Sequence, residues 1–169
     1  VVKIEKDTTG EMNLKFIIDY FKSDKPKSKK SLPIIVDKIQ LSDIRFHYNN
    51  FKVDPISEGM DYQHLLLSNL NMEARKVKVT DGVITANVRS LSANEKSGFK
   101  LDNFTANLKV SNKGVDLKNV NIKTPLTNLN SHRFQLLYSS YTQFLSFVDS
   151  VAFDADLHNS SVSFTDIAV

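Results

Sequence analysis

Four histidines are the side chains of this chain best suited to metal binding or acid–base chemistry. They are His47, His64, His132 and His158. They lie far apart in the sequence and form neither HExxH nor a comparable ligand spacing. His47 alternates with the flanking Phe46 and Tyr48, which predicts a histidine on the polar, solvated face of a strand, and His158 has the same interpretation. The histidines therefore indicate no metal site.

Other catalytic arrangements are missing from the sequence as well. The chain has no cysteine, which excludes thiolate nucleophiles, disulfides and cysteine-ligated metals. It has no GxSxG motif, and its five glycines form no phosphate-binding loop. Several aspartates fall on strand patterns without pairing as acid and base: Asp37, Asp43, Asp102, Asp154 and Asp156. A small basic cluster, Arg75, Lys76 and Lys78, is interpreted as a solvated face, with phosphate contact as the alternative. We expect no enzyme and no cofactor.

Composition sets the size and class of the protein. The 169 residues predict one domain, or a piece of a larger protein, with a mild net charge of +3 that does not argue for nucleic acid. The apolar runs fall far short of the ~20 residues that cross a bilayer. No charged and then apolar leader opens the chain, so we expect a signal peptide to be absent or removed.

Two short amphipathic helices are predicted, separated by a long strand region. VVKIEKDTTG is typical of a short strand ending in a turn, and the apolar spacing of NLKFIIDYF predicts a helix over residues 11–22. The Lys-rich residues 23–32 indicate a solvated linker, which would also suit anionic headgroups at ~1 kcal/mol per Lys. Helical spacing recurs near residues 140–148. The rest of 33–169 follows strand patterns, with a loop over Lys52–Tyr62.

One irregularity recurs along these strands. In LDNFTANLKV the apolar residues alternate up to Leu101, and the next one is Phe104, three residues later. Because strand side chains alternate between faces, this slip would expose the second half of the strand unless one extra residue is accommodated. A β-bulge provides that residue, and Asp or Asn tolerates its unusual backbone angles.

The same slip occurs in seven copies, and the second polar residue is Asp or Asn in six of them. The polar pairs are Ser42-Asp43, Ser68-Asn69, Arg89-Ser90, Asp102-Asn103, Lys118-Asn119, His158-Asn159 and Thr165-Asp166. The pattern predicts consecutive long strands in an antiparallel meander, bent at the bulges, with one apolar face. That face is either sealed inside a closed sandwich or barrel, or left open on a curled sheet.

The order of these motifs is similar to a known family. NLKFIIDYF, the Lys-rich break, LPIIVDKIQLSDIRFHY, LLLSNLNMEA and EKSGFKLDNFTANLKVSNKGVDLKNVNIKTPLTNL resemble the AsmA/TamB group of bacterial envelope proteins, in particular the AsmA-like N-terminal region of TamB-like translocation and assembly module proteins. The resemblance runs from about Asn13 onward. It implies an elongated, curled antiparallel sheet of the β-taco or repeating β-groove type, with an apolar interior. It also implies a periplasmic protein held in the inner membrane by an N-terminal helix not present here.

The resemblance implies a role in outer-membrane biogenesis, by handling phospholipid between the two membranes. The expected groove lining is the set of in-facing repeat positions: Ile39, Leu41, Ile44, Phe46, Leu65, Leu67, Leu70, Phe99, Leu101, Phe104, Leu117 and Val120. The alternative is a scaffold or chaperone-like module that binds outer-membrane protein strands by β-addition. Carbohydrate binding on a closed sandwich is a third hypothesis, weakened by the absence of tryptophan.

Overall fold

The described chain forms one sheet of nine strands. The computed structural model describes residues 1–13, 32–138 and 152–166. Its strands are β1 (Val2–Lys6), β2 (Ile34–Asn50), β3 (Leu66–Thr80), β4 (Val83–Glu95), β5 (Lys100–Leu101), β6 (Asn103–Ser111), β7 (Gly114–Lys123), β8 (Asn128–Leu137) and β9 (Ala152–Leu157). In the described ranges, one 3-10 turn spans Phe164–Asp166. The predicted mainly β class is confirmed.

The sheet is an open, curled meander. Its strand order is β1-β2-β3-β4-β6-β7-β8-β9, and β5 pairs with β4 ahead of β6, so that β5 and β6 form one interrupted strand. All pairs are antiparallel except β1 with β2, which is parallel. Within the described residues the strands form a single open layer rather than a sandwich or closed barrel.

The predicted helices lie largely outside the described residues. The helix predicted over 11–22 lies outside them from residue 14 onward, and the linker predicted over 23–32 lies outside them up to residue 31. The helix predicted over 140–148 lies outside them entirely. At the described start of the first segment, Met12 forms an isolated bridge with Lys6. No helix in the described parts of the chain is long and apolar enough to cross a membrane.

Four of the predicted slips have the left-handed backbone expected of a bulge residue. The φ angles are 50° at Asp43, 49° at Asn69, 52° at Asn119 and 46° at Asn159. Asn159 lies beyond the end of β9 at Leu157, so the strand predicted to continue past this pair does not form. In β2, β3 and β7 the ladder register shifts at these residues. Since an L-residue rarely adopts positive φ unless it is Asp or Asn, the residue type at the second polar position has a physical cause.

Two predicted slips are accommodated in other ways. Arg89 is the extra residue of β4, because Ser90 and Val88 pair with consecutive residues of β3, yet it has no left-handed angle. At Asp102 the long strand is interrupted between β5 and β6, and the Asp102 amide donates to the carbonyl of Lys123 at 2.8 Å.

The last predicted slip is wrong. Phe164–Asp166 form a 3-10 turn instead of continuing a strand. The Asp166 carboxylate accepts hydrogen bonds from the Thr124 hydroxyl and the Leu126 amide. These bonds tie the segment to the turn between β7 and β8, which replaces the ladder that a strand would need.

Two further bulges were missed. Lys76 has a φ of 51° at a register shift in β3, and Ala74 and Val77 on either side show the same three-residue spacing. In β8 the register with β9 shifts between Ser131 and Arg133. The apolar spacing does not reveal this bulge, because a polar residue, Ser131, stands where the pattern requires an apolar one.

The register joins like residues into rows across the sheet, since cross-strand partners share a face. One row is entirely apolar and crosses seven strands: Ile34, Val79, Ile84, Val110, Val115, Leu136 and Phe153. A polar row crosses the same strands on the opposite face: Lys38, Arg75, Asn87, Asn107, Lys118, Arg133 and Asp156. The sheet therefore has one apolar and one polar face, as the slips predict.

Candidate functional site

The middle of the apolar face is a buried line of small side chains, which we call the crease. It comprises Ala74, Val88, Ala106, Val120 and Ser131. Their exposed fractions run from 0% for Ser131 to 8% for Val88. Ala74 pairs with Val88, Val88 pairs with Ala106, and Val120 pairs with Ser131. No side chain of the crease is larger than valine.

Bulges flank the crease on several strands. Arg89 follows Val88 and Asn119 precedes Val120, each at a register shift. A bulge bends its strand, and side chains on the inside of a bend converge. Among the described elements, extensive contacts join only neighbouring strands of the sheet. The crease is buried although the described strands form a single layer, and we infer that the bends leave little room along it for larger side chains.

Large apolar side chains lie on both sides of the crease. On one side, Leu108, Leu117 and Phe134 are cross-strand partners in β6, β7 and β8. On the other side, Leu41, Met72 and Leu91 form one set and Phe104, Ile122 and Leu129 form another. All nine are only partly buried. The face thus combines large, partly buried side chains with a central line of small, buried ones.

The structure places the twelve predicted lining residues on or next to this face. Eleven are partly buried, and Val120 is fully buried in the crease. Phe46 lies opposite Leu67, and Ile44 lies opposite Leu70. Because the large residues are neither sealed nor fully exposed, they differ from a closed core, in which side chains of this size are commonly buried.

Several residues of this face were not among the predicted lining. They include Leu108 and Phe134 beside the crease and the apolar row that ends at Phe153. The Phe134 and Phe153 rings stack with their centroids 6.4 Å apart. The sequence signal that would have identified them is the apolar alternation, which continues along each strand beyond the residues next to a slip.

The opposite face holds charged pairs. The Arg133 guanidinium donates two hydrogen bonds to Asp116, at 3.1 and 2.9 Å, and lowers the pKa of that carboxyl. In the predicted basic cluster, the Arg75 Nε lies 2.7 Å from a Glu73 oxygen. A shallow pocket of about 290 Å³ lies near the bulges and is lined by Asn87, Val88, Arg89, Thr105, Ala106, Asn107 and Asn119. These features suit a solvated face.

Three of the four histidines make side-chain contacts within the fold. His64 is buried, with its Nδ1 2.9 Å from the Asp61 carboxylate. The His132 and His158 rings stack with centroids 3.9 Å apart. No group of three His, Cys, Asp or Glu residues that could hold a metal occurs in the described ranges. The Asp61–His64 pair was missed, although an aspartate three residues before a histidine at the end of a predicted loop is its sequence signal.

Comparison with known proteins gives no assignment. No family model matches the chain, and no curated protein or solved structure matches it significantly. Within the described residues, the apolar face and its crease are an extended surface for which the charged pairs and the histidine contacts give no explanation.

Proposed function

We propose that the apolar face is a groove of the β-taco or repeating β-groove type that binds the acyl chains of phospholipid. The observation that carries the proposal is one apolar face that combines the apolar row crossing seven strands with the crease of small residues, which lies between large, partly buried side chains. Monomeric proteins rarely leave a continuous apolar surface of this extent, and such surfaces mark binding sites.

The dimensions and energetics suit an acyl chain. Seven strands at ~4.8 Å spacing give a row of roughly 29 Å across the strands. Each methylene transferred from water to an apolar surface contributes about 0.8 kcal/mol. A long chain therefore binds without specific polar contacts, and the ordering costs of association keep its release possible. A conduit requires both properties.

The cellular role follows from the family resemblance. A protein similar to the AsmA/TamB group would be periplasmic, anchored in the inner membrane, and would support outer-membrane biogenesis without enzymatic chemistry. The open apolar sheet supports this role because acyl chains and apolar side chains both leave water when they come into contact. Phospholipid passing between the two membranes is the proposed cargo.

Native mass spectrometry with lipid extraction tests the groove. The purified protein is expected to retain phospholipid, and Phe104→Glu is expected to lose it, because a carboxylate on this face costs several kcal/mol when an acyl chain covers it. Thr105→Glu is the matched control, since Thr105 follows Phe104 on the same strand and pairs with Asn121 on the polar face. A lipid-free protein, or equal loss in both variants, would overturn the proposal.

A second function has one observation in its favour. β9 lies at the end of the described sheet, where β8 is its strand partner. A sheet edge accepts an added strand, so β9 would suit a scaffold that binds outer-membrane protein strands. Saturable binding of unfolded barrel-strand peptides that phospholipid does not displace would favour this scaffold over the groove.

A further inference from the structure

The loop between β2 and β3 carries four exposed apolar side chains. Phe51, Val53, Ile56 and Tyr62 are exposed by fractions between 45% for Val53 and 66% for Tyr62. We call residues 51–62 the display loop. A connecting loop has no structural need for four exposed apolar side chains, and such a cluster marks an interaction surface.

The display loop has a fixed backbone at its β3 end. Asp61 is 3% exposed and accepts hydrogen bonds from the Ile56 amide at 3.1 Å and the Gln63 amide at 2.9 Å. The same carboxylate bonds the amide and the ring of His64. These contacts fix the backbone at Ile56 and on both sides of Tyr62. The apolar side chains at this end therefore start from an ordered backbone.

The β2 end of the loop is held in a similar way. The buried Asn50 donates from its side chain to Gln63 Oε1 at 2.7 Å, and its backbone accepts from Val53 at 3.1 Å. The Phe51 amide donates to the carbonyl of Lys6 at 2.8 Å. A loop already ordered before binding loses little conformational entropy when its side chains become buried.

We propose that the display loop inserts these side chains into the interface of a lipid bilayer. Tyrosine is suited to the headgroup region, where its apolar ring and polar tip are both accommodated, and the purely apolar side chains of Phe51, Val53 and Ile56 suit the acyl boundary beneath it. The exposed charges of the loop are Lys52, Asp54 and Glu58, which sum to −1 and give no attraction to anionic headgroups. Insertion therefore rests on apolar contact, and a zwitterionic bilayer is the expected surface.

The loop joins the ends of β2 and β3 that carry residues of the apolar face. The Tyr48 amide donates to the Leu65 carbonyl at 2.9 Å, and the next apolar pair along these strands is Phe46 with Leu67. A bilayer in contact with the loop would thus lie next to residues of the proposed groove. Such a contact would let lipid enter or leave the groove. This purpose rests on the proposed function, whereas insertion of the loop does not.

The absence of tryptophan from the sequence allows a direct test. Tyr62→Trp and Phe51→Trp each place a single reporter on the loop. Leu126→Trp is the matched control, because Leu126 is 58% exposed in the turn between β7 and β8. With phosphatidylcholine vesicles, the loop reporters are expected to shift their emission to the blue and to be quenched by brominated phosphatidylcholine, also at high salt. The control reporter is expected to do neither.

The double variant Phe51→Ser with Tyr62→Ser completes the test. It is expected to bind the vesicles at least tenfold more weakly and to keep its thermal unfolding curve, since both side chains are exposed. Loop reporters that retain solvent emission with vesicles, or a control reporter that shifts equally, would overturn the proposal. A loop that captures a protein but no vesicle would also overturn it.

Failure of the groove is distinguishable from failure of the loop. If the groove proposal alone is wrong, Tyr62→Trp inserts into vesicles although the protein retains no phospholipid. If the loop proposal alone is wrong, phospholipid supplied in detergent is retained, and the Phe51→Ser, Tyr62→Ser variant acquires lipid from vesicles at the rate of the unmodified protein.

Discussion

Ala106 lies opposite the bulge at Asn119. Its neighbours Thr105 and Asn107 pair with Asn121 and Lys118, so that one residue of β6 faces two residues of β7. Ala106 is 4% exposed at this point, although the larger side chains beside it on the same face are only partly buried. From this burial at a bend we infer that the position accepts only a small side chain.

Ala106→Phe is expected to destabilise the protein by about 1–3 kcal/mol, because a large ring in a closely packed position forces backbone shifts. Ala86→Phe is the control: Ala86 pairs with Leu108 on the same face but is only partly buried. Urea unfolding measures both. Equal free energies of unfolding for the two variants would contradict a crease that selects small residues.

Lys76 has the left-handed conformation without the residue type that suits it. Its φ is 51°, where the Cβ of an L-residue costs about 1–2 kcal/mol. Lys76→Gly is expected to remove that cost and, after the greater entropy of the unfolded glycine chain, to stabilise the protein by about 0.5–1 kcal/mol. Lys78→Gly, in regular strand two residues later, is expected to destabilise it. Chemical denaturation of both variants decides the sign.

Asp61 gives a pH dependence of known sign. Burial raises the pKa of this carboxyl, but hydrogen bonds from Ile56, Gln63 and His64 outweigh burial and hold the pKa below the usual 3.8. A lowered folded-state pKa stabilises the protein above the unfolded value, and this contribution is lost as pH falls below 3.8 through the folded pKa.

Asp61→Asn is accordingly expected to cost about 1–3 kcal/mol at neutral pH, because it leaves buried donors without their acceptor. The difference from the unmodified protein should shrink below pH 3.8. Asp54→Asn, at an exposed position of the same loop, should change stability little. Unfolding free energies measured across this pH range check the prediction, and a difference that grows in acid would refute it.

The sequence predicts the bulges where residue type and spacing agree. Asp43, Asn69 and Asn119 combine a three-residue apolar spacing with a side chain that tolerates positive φ, so both signals point to the same position. Lys76 has only the spacing, and the bulge in β8 has only its register shift. Propensity alone does not predict them, because neighbouring strands impose the bend.

Features that depend on register are beyond the sequence pattern. The burial of Ala106 results from its position opposite Asn119, and nothing near Ala106 in the sequence indicates which residue of β7 will face it. The same is true of the ordered display loop. The contact of the Asp61 carboxylate with the Ile56 amide, at 3.1 Å, likewise depends on the fold of the whole loop. Cross-strand distances carry this information.

If the apolar face binds one acyl chain across the strands, substitutions at two distant strands should weaken binding alike. Leu41 on β2 and Leu117 on β7 lie four strand spacings apart, roughly 19 Å at ~4.8 Å per strand. If one acyl chain follows the crease, Leu41→Glu and Leu117→Glu should each weaken long-chain phospholipid retention at least tenfold. A short-chain phospholipid should still bind each variant at the unmodified end.

Retention by both variants is measured by native mass spectrometry with long-chain and short-chain phospholipid. Lys118→Glu, on the polar face next to Leu117, is the control and should retain both lipids. Loss of short-chain and long-chain lipid together in Leu41→Glu but not in Leu117→Glu would place a compact site near β2. A path along the crease would then be refuted, because the two ends would contribute unequally.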